Sequence, residues 1–131
     1  MIGLDTNILV RYFTQDNKAE DQKATEVIEK QCSKDNPGFI HDVVLCELVW
    51  VLDSCYECPK EVISSTLEKI LTTTQFQVAH RNHVWEALQI FRKSKADFSD
   101  CLIGVKNSFS GCRRTMSFDK SLKDINHFSV I

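Results

Sequence analysis

Short apolar runs alternate along this chain with longer stretches in which apolar residues recur every three or four positions. Ile2 to Leu4 is a brief apolar run that stops at Asp5, and Thr6-Asn7 then lead into Ile8, Leu9, Val10, Tyr12 and Phe13. The pattern predicts a strand, a sharp turn and a helix. Residues 16–32 are largely polar, with Ala19, Ala24, Val27 and Ile28 at near-helical spacing, and predict a solvent-facing helix before the Pro37-Gly38 break. Phe39-Ile40 predicts a second short strand. A helix follows over about His41 to Ser54 with Asp42 as its N-cap, and Pro59, in the first turn, opens another through Val62, Ile63, Leu67 and Ile70.

Residues 76–79 predict a weak strand, and about Asn82 to Lys93 a helix carrying Trp85, Leu88 and Phe91 on one side. Asp97 opens the next helix, whose buried stripe is Phe98, Cys101, Leu102 and Val105, and Gly111 ends it. Thr115 to Phe118 predicts a strand ending in Asp119, followed by a helical turn and a last strand over Phe128 to Ile131. Short strands separated by helices imply an α/β fold with a parallel sheet, because parallel neighbours need long crossovers. With no repeat, low-complexity tract or linker, residues 1–131 are expected to form a single domain.

The 131 residues, 43% of them apolar, suffice for one core. No stretch approaches the roughly 20 apolar residues that span a bilayer, and the N-terminus has neither a basic head nor a cleavage pattern, so no membrane association and a cytoplasmic location are expected. The six cysteines, at positions 32, 46, 55, 58, 101 and 112, fall partly inside apolar helical patterns and are expected to be reduced. Cys55 and Cys58 have C-x-x-C spacing, but no second Cys or His pair stands at zinc-finger distance. Net charge is −2; if four of the 18 acidic residues gather at one site, the remaining 14 face 16 basic ones, a shell that does not repel phosphate.

The candidate chemistry lies in the acids. Asp5 and Asp119 each end a predicted strand, and open parallel sheets bind ligands at the carboxyl ends of their strands; helix capping would equally explain either one. Glu47 is the only charged residue in the run Val43–Leu52, so it is expected to be buried on most sides and either to be neutralised or to find a cation, a metal or a basic side chain. Asp97 and Asp100 share the first turn of one helix; Asp97 is better placed as N-cap and Asp100 as the inward-facing acid. Convergence of Asp5, Glu47, Asp100 and Asp119 would cost roughly 4 kcal/mol for each like-charged pair about 4 Å apart, and would demand a counter-ion. Oxygen ligands without His or Cys select Mg²⁺ or Mn²⁺ over zinc. His80 and His83, three apart, read as a solvated helix end rather than a metal site.

Four segments in order, Leu4-Asp5-Thr6-Asn7-Ile8-Leu9-Val10, Glu47-Leu48, Ala96-Asp97-Phe98-Ser99-Asp100-Cys101-Leu102-Ile103 and Ser117-Phe118-Asp119-Lys120, together resemble the PIN-domain proteins of the VapC toxin group along the whole chain. The resemblance implies a PIN-like three-layer α/β/α fold with a central parallel sheet wrapped by helices. It implies a Mg²⁺- or Mn²⁺-dependent endoribonuclease leaving 5′-phosphate and 3′-hydroxyl ends, the toxin of a toxin–antitoxin pair. Asp5, Glu47, Asp100 and Asp119 would be its catalytic and metal-binding acids, with Asp97 a weaker candidate and Asn7 and Ser117 orienting water. The implied partners are an RNA substrate, a cognate antitoxin and a second copy in a homodimer. Arg11, Arg92, Lys93, Lys95, Lys106, Arg113 and Arg114 are undifferentiated candidates for phosphate contacts, and Tyr12, Phe13 and Trp50 are candidate antitoxin contacts, with ordinary core the favoured role for each. Two departures stand out: Ser117 where Thr is more frequent, and Asn126-His127 where a Gly is frequent. The alternative reading is a catalytically silent PIN fold that binds RNA or acts as a scaffold. A phosphatase or receiver domain is disfavoured, because Thr6-Asn7 follows Asp5 where a second Asp would be expected.

Overall fold

The computed structural model describes all residues, Met1–Ile131, and divides into two compact units, Met1–Arg81 and Asn82–Ile131. In the first, strands β1 (Ile2–Gly3), β2 (Gly38–Ile40) and β3 (Phe76–Val78) form a parallel sheet in that order, with Ile2 opposite Gly38 and Phe39 opposite Gln77. Helices α1 (Thr6–Thr14) and α2 (Lys18–Glu26), with a π-helical turn over Val27–Gln31, connect β1 to β2. Helices α3 (Asp42–Ser54) and α4 (Lys60–Thr72) connect β2 to β3. These are the long crossovers that parallel pairing requires.

Helix α1 packs on α2 and α3, and α3 on α4. Leu45, Leu48 and Leu52 recur at helical spacing along the buried side of α3, as Ile63, Leu67 and Ile70 do along α4. The opposite side of α3 corrects the expectation of a helix buried nearly all round: Val43 is 60% and Trp50 64% exposed. Trp50 is therefore not core, whereas Tyr12 and Phe13 are half-buried and meet edge to face. Asp42 is not the N-cap of α3. His41 takes that place, its Nδ1 accepting from the Val43 N–H, while the buried Asp42 carboxylate lies 2.8 Å from His41 Nδ1 and 3.4 Å from His80 Nδ1. Pro59 likewise stands at the N-cap of α4, one residue before its first turn.

The second unit comprises α5 (Arg81–Lys93, all but its first residue), α6 (Phe98–Phe109) and the parallel pair β4 (Thr115–Ser117) and β5 (Phe128–Val130), joined through a 3₁₀ turn at Lys120–Leu122. Val84, Ala87, Leu88 and Phe91 of α5 and the expected stripe Phe98, Cys101, Leu102 and Val105 of α6 are buried, and the Phe91 and Phe98 rings meet edge to face at 6.0 Å. Gly111, at φ 101°, ends the chain's last α-helix in the left-handed conformation. β4 stops at Ser117, so Phe118, expected as its last residue, is 82% exposed. His127, where the resemblance led to an expected Gly, adopts φ 77° and makes a 2.8 Å contact between Nε2 and Glu86 Oε1. His83 stacks on Phe109 at 4.2 Å rather than standing in solvent. All six cysteines are free, Cys32 and Cys101 buried.

Parallel strands and helical crossovers agree with the α/β/α reading. No helix is long and apolar enough to cross a membrane. Gly104 tests the packing of the second unit: a Cβ there would lie 2.5 Å from the Phe128 ring, which is itself buried. Gly104→Ala is expected to destabilise the protein by about 1–3 kcal/mol in urea unfolding, as overpacked sites do.

Candidate metal centre

β1 ends at Gly3, and two residues later Asp5 turns the chain into α1. Its backbone is extended, and Oδ1 accepts the Thr6 N–H at 2.8 Å, so Asp5 is a helix cap as well as a site candidate. Its Oδ2 takes no protein hydrogen bond. The Thr6 hydroxyl donates to Glu47 Oε1 at 2.8 Å and thereby joins the start of α1 to the middle of α3. Glu47 is exposed, not buried as expected, and its only polar partner is this neutral hydroxyl. Asp5, Asn7 and Glu47 line one cleft of about 490 Å³ between α1 and α3.

In the second unit the acids interact through charge. Asp97 holds the N-cap position of α6 in extended conformation, but its carboxylate makes no cap hydrogen bond. Asp100 lies in the first turn and is half-buried; burial, then the charges of Asp97 and Asp119, push its carboxyl above the ordinary aspartate range. Asp119 follows β4 and caps the 3₁₀ turn, with Oδ1 accepting from both the N–H and the hydroxyl of Ser121. Those two bonds hold its pKa below the usual value. The Ser117 hydroxyl accepts the Asp119 N–H at 3.0 Å, so it orients the backbone of this acid.

The expected acids thus fall into two sets, Asp5 with Glu47 and Asp97 with Asp100 and Asp119. Neither unit by itself brings three His, Cys, Asp or Glu side chains into a group that could hold a metal ion. None of the five acids is paired with a lysine or arginine, which removes the basic-partner explanation of Glu47. The donor set is all oxygen, carries excess negative charge and suits a hard divalent cation. Sequence reasoning missed Thr6 and Ser121, whose hydroxyls fix Glu47 and Asp119. The signal for Ser121 was local, a hydroxyl two residues beyond a strand-end acid.

A raised carboxyl pKa has a definite effect on stability. Between the unfolded value near 3.8 and its higher folded value, Asp100 binds more protons in the native state, so stability falls as pH rises through that window. In chelator-treated protein, Asp100→Asn is therefore expected to melt at a higher temperature than the parent near neutral pH, with the difference shrinking as pH falls toward 3.8. Circular dichroism melts across that range measure it.

A curated protein named VapC ribonuclease from Aquifex aeolicus (strain VF5) is 28% identical over 128 residues, covering 97% of this chain and 93% of its own length. The family model described as PIN domain matches residues 2–127, nearly the whole chain and both units. The chain belongs to the PIN-domain family.

Proposed function

We propose that this protein is a divalent-metal-dependent endoribonuclease, acting as the toxin of a toxin–antitoxin pair, and that residues 1–131 form one PIN domain. The observation that carries the reading is a set of carboxylates without basic partners, in a PIN-domain chain similar to a VapC ribonuclease. Asp5, Glu47, Asp100 and Asp119 would hold Mg²⁺ or Mn²⁺, with Asp97 a weaker ligand. When bound, the ion neutralises phosphate charge and lowers the pKa of water.

The chain's own residues do the rest. Thr6 and Ser121 hold Glu47 and Asp119 through neutral donors, so orientation is fixed while negative charge is retained. Ser117 sets the backbone from which Asp119 projects, and Asn7, exposed on the same cleft as Asp5, supplies an amide that can orient water. Hydrolysis would leave 5′-phosphate and 3′-hydroxyl ends. The partners proposed are RNA, an antitoxin and a second copy of the chain, in the cytoplasm; the exposed Val43 and Trp50 of α3 offer apolar surface for a protein partner.

Purified protein is expected to cut labelled single-stranded RNA with Mn²⁺ and to stop when a chelator is added. Asp5→Asn, Glu47→Gln, Asp100→Asn and Asp119→Asn should each lower the rate by more than the roughly 10- to 100-fold typical of residues that only orient a metal ligand. RNA binding without cleavage under every divalent metal tried would instead identify a silent RNA-binding module.

A further inference from the structure

The cleft that holds Asp5 and Glu47 does not end at them. Two contacts tie α1 to α3 and the turn after it: Thr6 bonds to Glu47 in mid-α3 at 2.8 Å, and Arg11 Nη1 lies 3.4 Å from the Tyr56 hydroxyl just beyond α3. The two helices therefore run in the same direction. At 1.5 Å per residue, the floor extends about 12 Å from Glu47 through Val51 to Cys55. One end is acidic. The other carries Arg11, the single basic residue lining this cleft, and the aromatic ring of Tyr56.

Both side chains at that end are held in place by Asp16. Its Oδ1 accepts from Arg11 Nη1 at 2.7 Å and its Oδ2 from the Tyr56 hydroxyl at 2.8 Å, and Arg11 Nε lies 3.8 Å from Glu20. These interactions engage Nη1 and Nε and leave the two Nη2 donors of the guanidinium without a protein partner. Arginine presents its donors as a planar fork that matches phosphate, and an aromatic ring gives any base a stacking face. A polyanion meeting the acidic end needs a nearby cation to keep it there.

We propose that Arg11 and Tyr56 form a positioning subsite for the nucleotide next to the scissile phosphate of a single-stranded RNA, Arg11 taking its phosphate and Tyr56 its base. The identity of the ligand rests on the nuclease reading; the subsite itself rests on the geometry of the cleft.

The test separates binding from cleavage by using full-length Asp5→Asn protein and a fluorescent single-stranded oligoribonucleotide. In that background Arg11→Ala should weaken binding about tenfold and flatten the dependence of log K on log salt by about 0.7, the increment for one phosphate on a single strand. Arg11→Lys should preserve the slope. Tyr56→Leu should also weaken binding about tenfold, whereas Tyr56→Phe, which keeps the ring and loses the bond to Asp16, should bind as the parent does. With Asp5 intact, Arg11→Ala and Tyr56→Leu should raise KM more than they lower kcat. Unchanged binding by Arg11→Ala and Tyr56→Leu overturns the proposal even if the parent enzyme cuts RNA. So does equal loss in Tyr56→Phe and Tyr56→Leu tracking a lowered melting temperature, because the hydroxyl bond to Asp16 then accounts for everything. If the protein with Asp5 intact binds but never cleaves, and the variants behave as expected, the subsite stands and the nuclease reading falls.

Discussion

Negative charge held in place without being cancelled is the constraint on which this molecule turns. A lysine or arginine beside each carboxylate would fix its position and also destroy its value as a ligand for a cation. Here the fixing is done by neutral groups: the Thr6 N–H for Asp5, the Thr6 hydroxyl for Glu47, and the N–H and hydroxyl of Ser121 for Asp119. Asp100 has no such donor among the hydrogen bonds made by side chains, and burial, then the charges of Asp97 and Asp119, drive it toward its protonated form. The contrast between Asp119 and Asp100 follows from burial and hydrogen bonding: Asp100 is half-buried beside negative charges, whereas Asp119 accepts two bonds from Ser121.

Parallel topology decides where these groups can stand. The chain leaves β1 toward Asp5, β2 toward His41 and Asp42, β3 toward His80, and β4 toward Asp119, so chemistry collects at the carboxyl ends of strands. Asp42 shows how the same positions serve structure. Its carboxylate is only 3% exposed and is approached by two imidazoles at the start of α3, the helix that presents Glu47 a little more than one turn later. Orientation of Glu47 thus depends on the α3 entry as well as on Thr6.

Much of this was legible in the sequence where the signal was local. An apolar run stopped by an acid gave β1 with Asp5 and β4 with Asp119, and two acids three residues apart at the start of one helix gave Asp97 and Asp100. Glu47 was singled out for a wrong physical reason. Its apolar neighbours implied burial, yet Val43, Glu47 and Trp50 share the exposed side of α3, because hydrophobicity says which residues can be buried and not which ones are. His41 and Asp42 are adjacent residues that can each accept a backbone N–H, so local pattern could not choose between them. The bonds from Thr6 to Glu47 and from Arg11 to Tyr56 join residues 41 and 45 positions apart, a separation that no helical or strand period encodes.

The acids Asp16 and Glu20 resolve a difficulty that the cleft would otherwise have. A guanidinium and two carboxylates at opposite ends of one groove attract each other, and a long, flexible arginine could swing toward Asp5 and Glu47 and cancel them. Arg11 is prevented from doing so by a 2.7 Å bond to Asp16 Oδ1 and the nearby Glu20 carboxylate. Asp16 in turn is steadied by Tyr56 and Thr14, whose hydroxyls help to keep it ionised. The pairing lowers the local positive charge, but it keeps cation and anions apart, so that each end of the cleft retains a charge of its own sign.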